Sequence, residues 1–122
     1  MHTVLSVALL ATLAAPDRHP LRILVLCKAG DARADDFARF LGERFTTVRR
    51  ADLNHFDRAL LGQSDVVLVD WQQGDGLMQW MNQKAPVHSP LGERADWTVP
   101  TVLIGSAGLN VAASWGVRGG FG

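Results

Sequence analysis

Ser64-Asp65-Val66-Val67-Leu68-Val69-Asp70-Trp71 is an apolar run rich in β-branched residues, closed by a carboxylate and an aromatic ring. A strand that is apolar on both faces must be covered on both faces, which belongs to the middle of a parallel sheet with helices on each side. Ligands of such sheets gather at the carboxyl ends of the strands, where Asp70 would lie.

Outward from that run, the same pattern recurs. Arg22-Ile23-Leu24-Val25-Leu26-Cys27 is a second continuous apolar strand, and Lys28-Ala29-Gly30-Asp31 is the turn after it. Asp31 suits the N-cap of a helix whose first turn carries Asp35 and Asp36, where the helix dipole favours negative charge. Ala34, Phe37, Ala38, Leu41 and Phe45 then recur at helical spacing as one apolar face. Thr46 to Arg50 alternates, as an edge strand with one wet face does. Asn54 is placed to cap a short helix carrying Phe56, Ala59 and Leu60, with Gly62 at its end. After the central strand, Gly74-Asp75-Gly76 leads into a helical stretch with Leu77, Trp80 and Met81 on one face, and from Ala85 to Trp97 the periodicity dissolves into a long loop. Val99-Pro100-Thr101-Val102-Leu103-Ile104 is a fourth strand, in which Pro100 must sit at the start. Leu109 to Trp115 is a short helix stopped by Gly116.

Strands alternating with helices predict an α/β three-layer sandwich around a parallel sheet of flavodoxin-like topology, strand order 2-1-3-4, with right-handed crossovers. The fourth strand reads as doubly buried, yet only a short glycine-rich tail follows it. The expectation is a fifth strand missing or incomplete through C-terminal truncation, or else a second copy covering the exposed sheet edge as a homodimer.

The chain of 122 residues is one domain's worth, with 12 basic against 12 acidic residues and one cysteine. No basic surplus points to nucleic acid or an anionic membrane, and no internal disulfide framework can form. Val4 to Ala14 is an apolar block too short for a stable membrane anchor, which needs about 20 residues. It reads as the core of a signal peptide over residues 1–14, with Thr12-Leu13-Ala14 as the cleavage site, a linker over 15–20 and the domain proper over 21–122. Export to the periplasm or medium is the localisation this implies; without it the chain would be cytoplasmic.

The predicted topology brings four strand ends to one rim: Cys27-Lys28, Asp52, Asp70-Trp71 and Gly105-Ser106. Lys28, Asp70, Trp71, Gly105 and Ser106 are the candidate ligand-binding residues, and Cys27, Asp70 and Ser106 the candidates for chemistry. The histidines His19, His55 and His88 show no ligand spacing, so no metal is expected, and no cofactor motif is present. Trp71, Trp80, Trp97 and Trp115 suit packing or a stacked sugar.

Three resemblances attach to these residues. Cys27 to Arg33 has the Cys-x5-Arg spacing of the low-molecular-weight tyrosine phosphatases and arsenate reductases, which would make Cys27 a nucleophile and Arg33 a phosphate holder; Asp31 departs from that pattern by adding a negative charge to the cradle. Asp65 to Trp71, Asp75-Gly76 and Ile104-Gly105-Ser106-Ala107 resemble a response-regulator receiver, which would make Asp70 the phosphoacceptor and Ser106 the switch hydroxyl; Cys27-Lys28 stands where the receiver's metal-binding acidic pair would be. Arg22 to Cys27, Asp35-Asp36-Phe37-Ala38, Asp65 to Trp71 and Pro100 to Gly108 together resemble a class I glutamine amidotransferase-like domain of the ThuA-like group found in exported bacterial proteins. That likeness covers most of the domain, but Ser106 stands at the elbow where the catalytic cysteine would be. It implies a small-molecule or sugar ligand without amidotransferase activity, and is the reading preferred here: an exported binding or accessory domain, with the degenerate receiver and the phosphatase as alternatives.

Overall fold

A computed structural model describes residues 17–71, 89–105 and 111–117. The signal-peptide reading of residues 1–14, the helix around Leu77 to Met81, Trp80, Ser106 and the glycine-rich tail from residue 118 lie outside them.

Four strands, β1 (His19–Cys27), β2 (Phe45–Asp52), β3 (Val66–Asp70) and β4 (Thr101–Ile104), form one sheet. All pairings are parallel and the order is β2-β1-β3-β4, as the sequence predicts for a flavodoxin-like α/β sandwich. Between them lie α1 (Ala32–Gly42) and the single-turn α2 (Ala59–Gly62).

β1 is the buried centre. Ile23 to Cys27 are all 3 % exposed or less, because β2 and β3 take both its edges and apolar layers take both its faces. Alternate residues point to opposite layers. Leu24 and Leu26 join Val67, Val69, Trp71, Leu53, Leu91 and Val111 on one side. Ile23, Val25 and Cys27 join Ala34 and Leu41 of α1 on the other.

At the amino ends of the strands, Asp65 accepts three hydrogen bonds from Arg22: from its backbone N at 2.7 Å, from Nε at 3.1 Å and from Nη2 at 3.0 Å. These bonds hold the Asp65 carboxyl down at about 2. The fork fixes the start of β3 beside the start of β1, where the register runs Ile23 opposite Val66. Gly30, at φ 76°, turns the chain out of β1 into α1, a backbone state that glycine adopts without steric cost. Asp31 caps α1, its carboxylate accepting from the Arg33 amide at 3.1 Å.

Several local expectations shift. Phe45 belongs to β2 rather than to the apolar face of α1. Asn54 does not cap α2; its backbone N–H donates to Asp52, and the carboxylate nearest the helix start is Asp57, which accepts from the Ala59 amide at 2.9 Å. The fourth strand is not doubly buried: Leu103 packs inward, whereas Val102 is 51 % exposed. The reason is geometric. α1 lies over β1 and β2, and Val102, opposite Leu68 in the register, falls on that same side of the sheet but beyond the helix. Trp97 of the 89–99 segment packs against Trp115 with ring centroids 6.0 Å apart, and their indole N–H groups donate to Thr101 Oγ1 and to the Gly92 carbonyl, respectively. They pin the segment to the core.

This architecture makes the cost of truncation depend steeply on position. Leu24→Ala is expected to lower unfolding free energy by about 2–5 kcal/mol, because β1 has no room to collapse around the cavity. Val102→Thr should change it by less than about 0.5 kcal/mol. Urea denaturation of the two variants beside the parent chain measures both.

Candidate functional site

The topological switch point of the sheet lies between β1 and β3: the chain leaves β1 toward β2 on one side and later returns to β3 on the other. Ligands of such sheets gather outside the carboxyl ends of those two strands, and Arg33 in the first turn of α1 reaches the end of β3 there. Cys27, Lys28, Asp70, Trp71 and Gly105 all come to this end of the sheet, as the sequence predicts, and Asp52 ends the neighbouring β2.

Asp70 is the unusual member. It is the one buried charged residue among the described residues, its side chain 2 % exposed, and Oδ2 accepts no hydrogen bond there. Its nearest charge partner is Arg33 Nε, at 3.2 Å, in the first turn of α1. That separation is within ion-pair reach, but the alignment does not make a hydrogen bond, so the Coulomb attraction is real and the desolvation of the oxygen is incompletely offset. Burial therefore pushes the Asp70 carboxyl above the usual carboxylate range; Arg33 opposes that shift and the nearby Asp31 adds to it.

Arg33 reaches further than Asp70. Its side chain is 51 % exposed, and Nη2 lies 3.9 Å from where a β-carbon on Gly105 would stand. One guanidinium thus spans from α1 across the end of β3 to the turn that closes β4. The Cys-x5-Arg spacing had marked Arg33 for an anion held at Cys27; the fold turns it instead toward the β3–β4 side of the switch point.

Cys27 sits on the other flank. Its side chain is buried, and Sγ lies 3.9 Å from the Ala51 carbonyl in a depression of about 240 Å³ lined also by Lys28, Ala29, Arg50 and Asp52. Burial pushes the thiol up, although the Arg50 guanidinium, itself paired with Asp35 of α1, pulls it down. A nucleophilic thiolate needs the reverse balance. The loop amides are also engaged: Arg33 N–H with the Asp31 carboxylate, Ala34 N–H and Asp35 N–H with the Asp31 carbonyl, and Asp31 N–H with the Lys28 carbonyl. A phosphate cradle would need those donors aimed inward.

Ser106 follows Gly105, at φ 60°, and lies outside the described residues. Among the described residues no group of three or more His, Cys, Asp or Glu side chains is arranged to hold a metal ion, and no helix is long and apolar enough to cross a membrane. Comparison of the chain with protein-family models, with curated proteins and with solved structures finds no match.

Two measurements follow from these environments. A carboxyl raised above its unfolded value of about 3.9 contributes stability below that pH and loses it as pH rises through the folded value. The stability of the parent chain minus that of Asp70→Asn should therefore fall as pH rises above about 4. Guanidinium titrations across the acidic range test the sign. For Cys27, alkylation by iodoacetamide should be at least about tenfold slower in the folded chain than in the chain unfolded by urea, since the thiolate is both disfavoured and covered. Equal rates by mass spectrometry would contradict that burial.

Proposed function

We propose that the protein is a small-molecule-binding or accessory module, of the kind the amidotransferase-like resemblance implies, that uses the switch point at the carboxyl ends of β1 and β3 rather than carrying out covalent catalysis. The observation that carries this reading is the Asp70–Arg33 pair. A buried, incompletely hydrogen-bonded carboxylate costs folding free energy, of order 1–3 kcal/mol for an unsatisfied group, so its place at the switch point is better accounted for by a role there than by packing. The surrounding residues support recognition: Lys28 and Arg33 bring charge, and Gly105 adds no side chain on the β4 side.

Catalytic readings find less support in the same geometry. A phosphoacceptor must meet its donor, and the Asp70 side chain is almost wholly covered. A thiol nucleophile must ionise, and the Cys27 environment works against it.

The test is a ligand screen read by two-dimensional amide NMR on the full chain. The probes are glucose, glycerol, acetate, succinate and inorganic phosphate at millimolar concentration. The reading expects at least one probe to cause saturable shifts concentrated at Lys28, Gly30, Asp70, Trp71 and Gly105. Shifts centred on any other surface, or no saturable response to any probe, would refute it.

A further inference from the structure

The chemistry of the occupant can be argued from Arg33, an inference that rests on the binding-module reading above. A guanidinium has five N–H donors in a rigid plane. In Arg33 the Nε side lies against the buried Asp70 Oδ2 at 3.2 Å while the side chain as a whole is half exposed, which leaves the edge that carries Nη1 and Nη2 for a further partner. The Phe37 ring, 5.5 Å from Cζ, stands beside the same plane. On the far side, Nη2 lies next to Gly105, which has no side chain to stand against that edge. The geometry is a fork held at its base and open at its tips.

Such a fork matches two oxygens of a carboxylate or phosphate, and holding it in advance removes part of the rotamer entropy that an exposed arginine loses on binding. The other charges at this end are mixed, with Asp52 ending β2 and Asp36 lining the depression beside Arg33. Lys28 follows β1 at the same end of the sheet, and Asp31 turns its carboxylate onto the Arg33 amide at 3.1 Å, toward its own helix rather than the fork.

We infer that the switch point binds a small molecule through its anionic group, a carboxylate or a phosphate, seated on the Nη1–Nη2 edge of Arg33, with Asp70 as the positioning residue that holds the guanidinium from beneath. Asp70 does not touch the ligand in this arrangement; it acts through Arg33.

The experiment titrates the full chain with sodium acetate and with sodium phosphate, with sodium chloride at matched ionic strength and with glucose as controls. It follows the Gly105 amide and the Arg33 Nε–Hε resonance by NMR. Saturable shifts at both signals with acetate or phosphate, absent with chloride, are expected, and the tighter of the two anions identifies the group. Arg33→Gln should weaken binding by about 10- to 100-fold, the loss of a charge-assisted contact. Arg33→Lys, which keeps the charge and loses the fork, should fall between that variant and the parent. Asp70→Asn should weaken binding by about three- to tenfold and move the Arg33 Nε–Hε resonance toward that of a free arginine, a change that loss of packing elsewhere would not produce.

Parent-like anion affinity in Arg33→Gln, or an equal response to chloride, overturns the inference. An unchanged Nε–Hε signal in Asp70→Asn overturns the positioning role. Saturable shifts at Lys28 and Gly105 with glucose but with neither anion overturn the anionic class and leave the binding site standing. No response at the rim to any of the four probes overturns the anion inference and counts against the site itself.

Discussion

The structure depends on the burial of β1 between β2 and β3. A parallel strand offers hydrogen bonds on both edges and side chains on both faces, and all four must be satisfied before the strand can leave water. Here they are: β2 runs beside it from Phe45 to Asp52, β3 beside it from Val66 to Val69, and the residues from Ile23 to Cys27 alternate between two apolar layers. The place of the candidate site follows from that burial. Because β1 is central and its neighbours β2 and β3 are reached in opposite directions, the connections leaving the carboxyl ends of β1 and β3 diverge, and ligands of such sheets gather at that switch point.

The β1–β3 junction is also where charge is used twice, at opposite ends and to opposite effect. Arg22 and Asp65 meet at the amino ends, exposed and with three aligned hydrogen bonds, and the Asp65 carboxyl is held low. Arg33 and Asp70 meet at the carboxyl ends with the acid buried and the contact poorly aligned, and the Asp70 carboxyl is held high. The same pair of residue types thus serves register at one end and tension at the other. Solvent access decides which: water screens the first pair and stabilises both its ions, whereas the second acid is buried and meets Arg33 at an imperfect angle.

Much of this was legible in the residues. Unbroken β-branched runs at 22–27 and 64–71 carry the parallel sheet and its order, because only a strand covered on both faces tolerates that pattern. Asp31 declares the start of α1 through its capping chemistry, and Gly116, at φ 63°, ends the last described turn as its position suggests. The rim residues were legible too, since topology alone brings strand ends together. What could not be read is how side chains divide between partners. Spacing from Cys27 suggests that Arg33 serves the β1 loop, but a helix start has several directions open to a long side chain, and the buried carboxylate of β3 captures it. Val102 escapes prediction for a related reason. Its apolar neighbours imply cover, but cover depends on how far α1 extends across the sheet, which local periodicity does not encode.

The loop from Lys28 to Arg33 shows how closely scaffold and site are joined. Gly30 makes the turn, Asp31 caps the helix, and the cap bond is made to the amide of Arg33, the residue whose side chain crosses to Asp70. Fixing the backbone of Arg33 at the helix start fixes where its Cβ points, and the ion pair then engages the side chain at Nε. A guanidinium engaged there has less freedom left to lose, which is the condition under which an exposed arginine becomes a specific contact rather than a diffuse positive charge. The desolvation of the buried acid works against stability, and its contact with Arg33 gives the guanidinium a fixed neighbour at the end of β3.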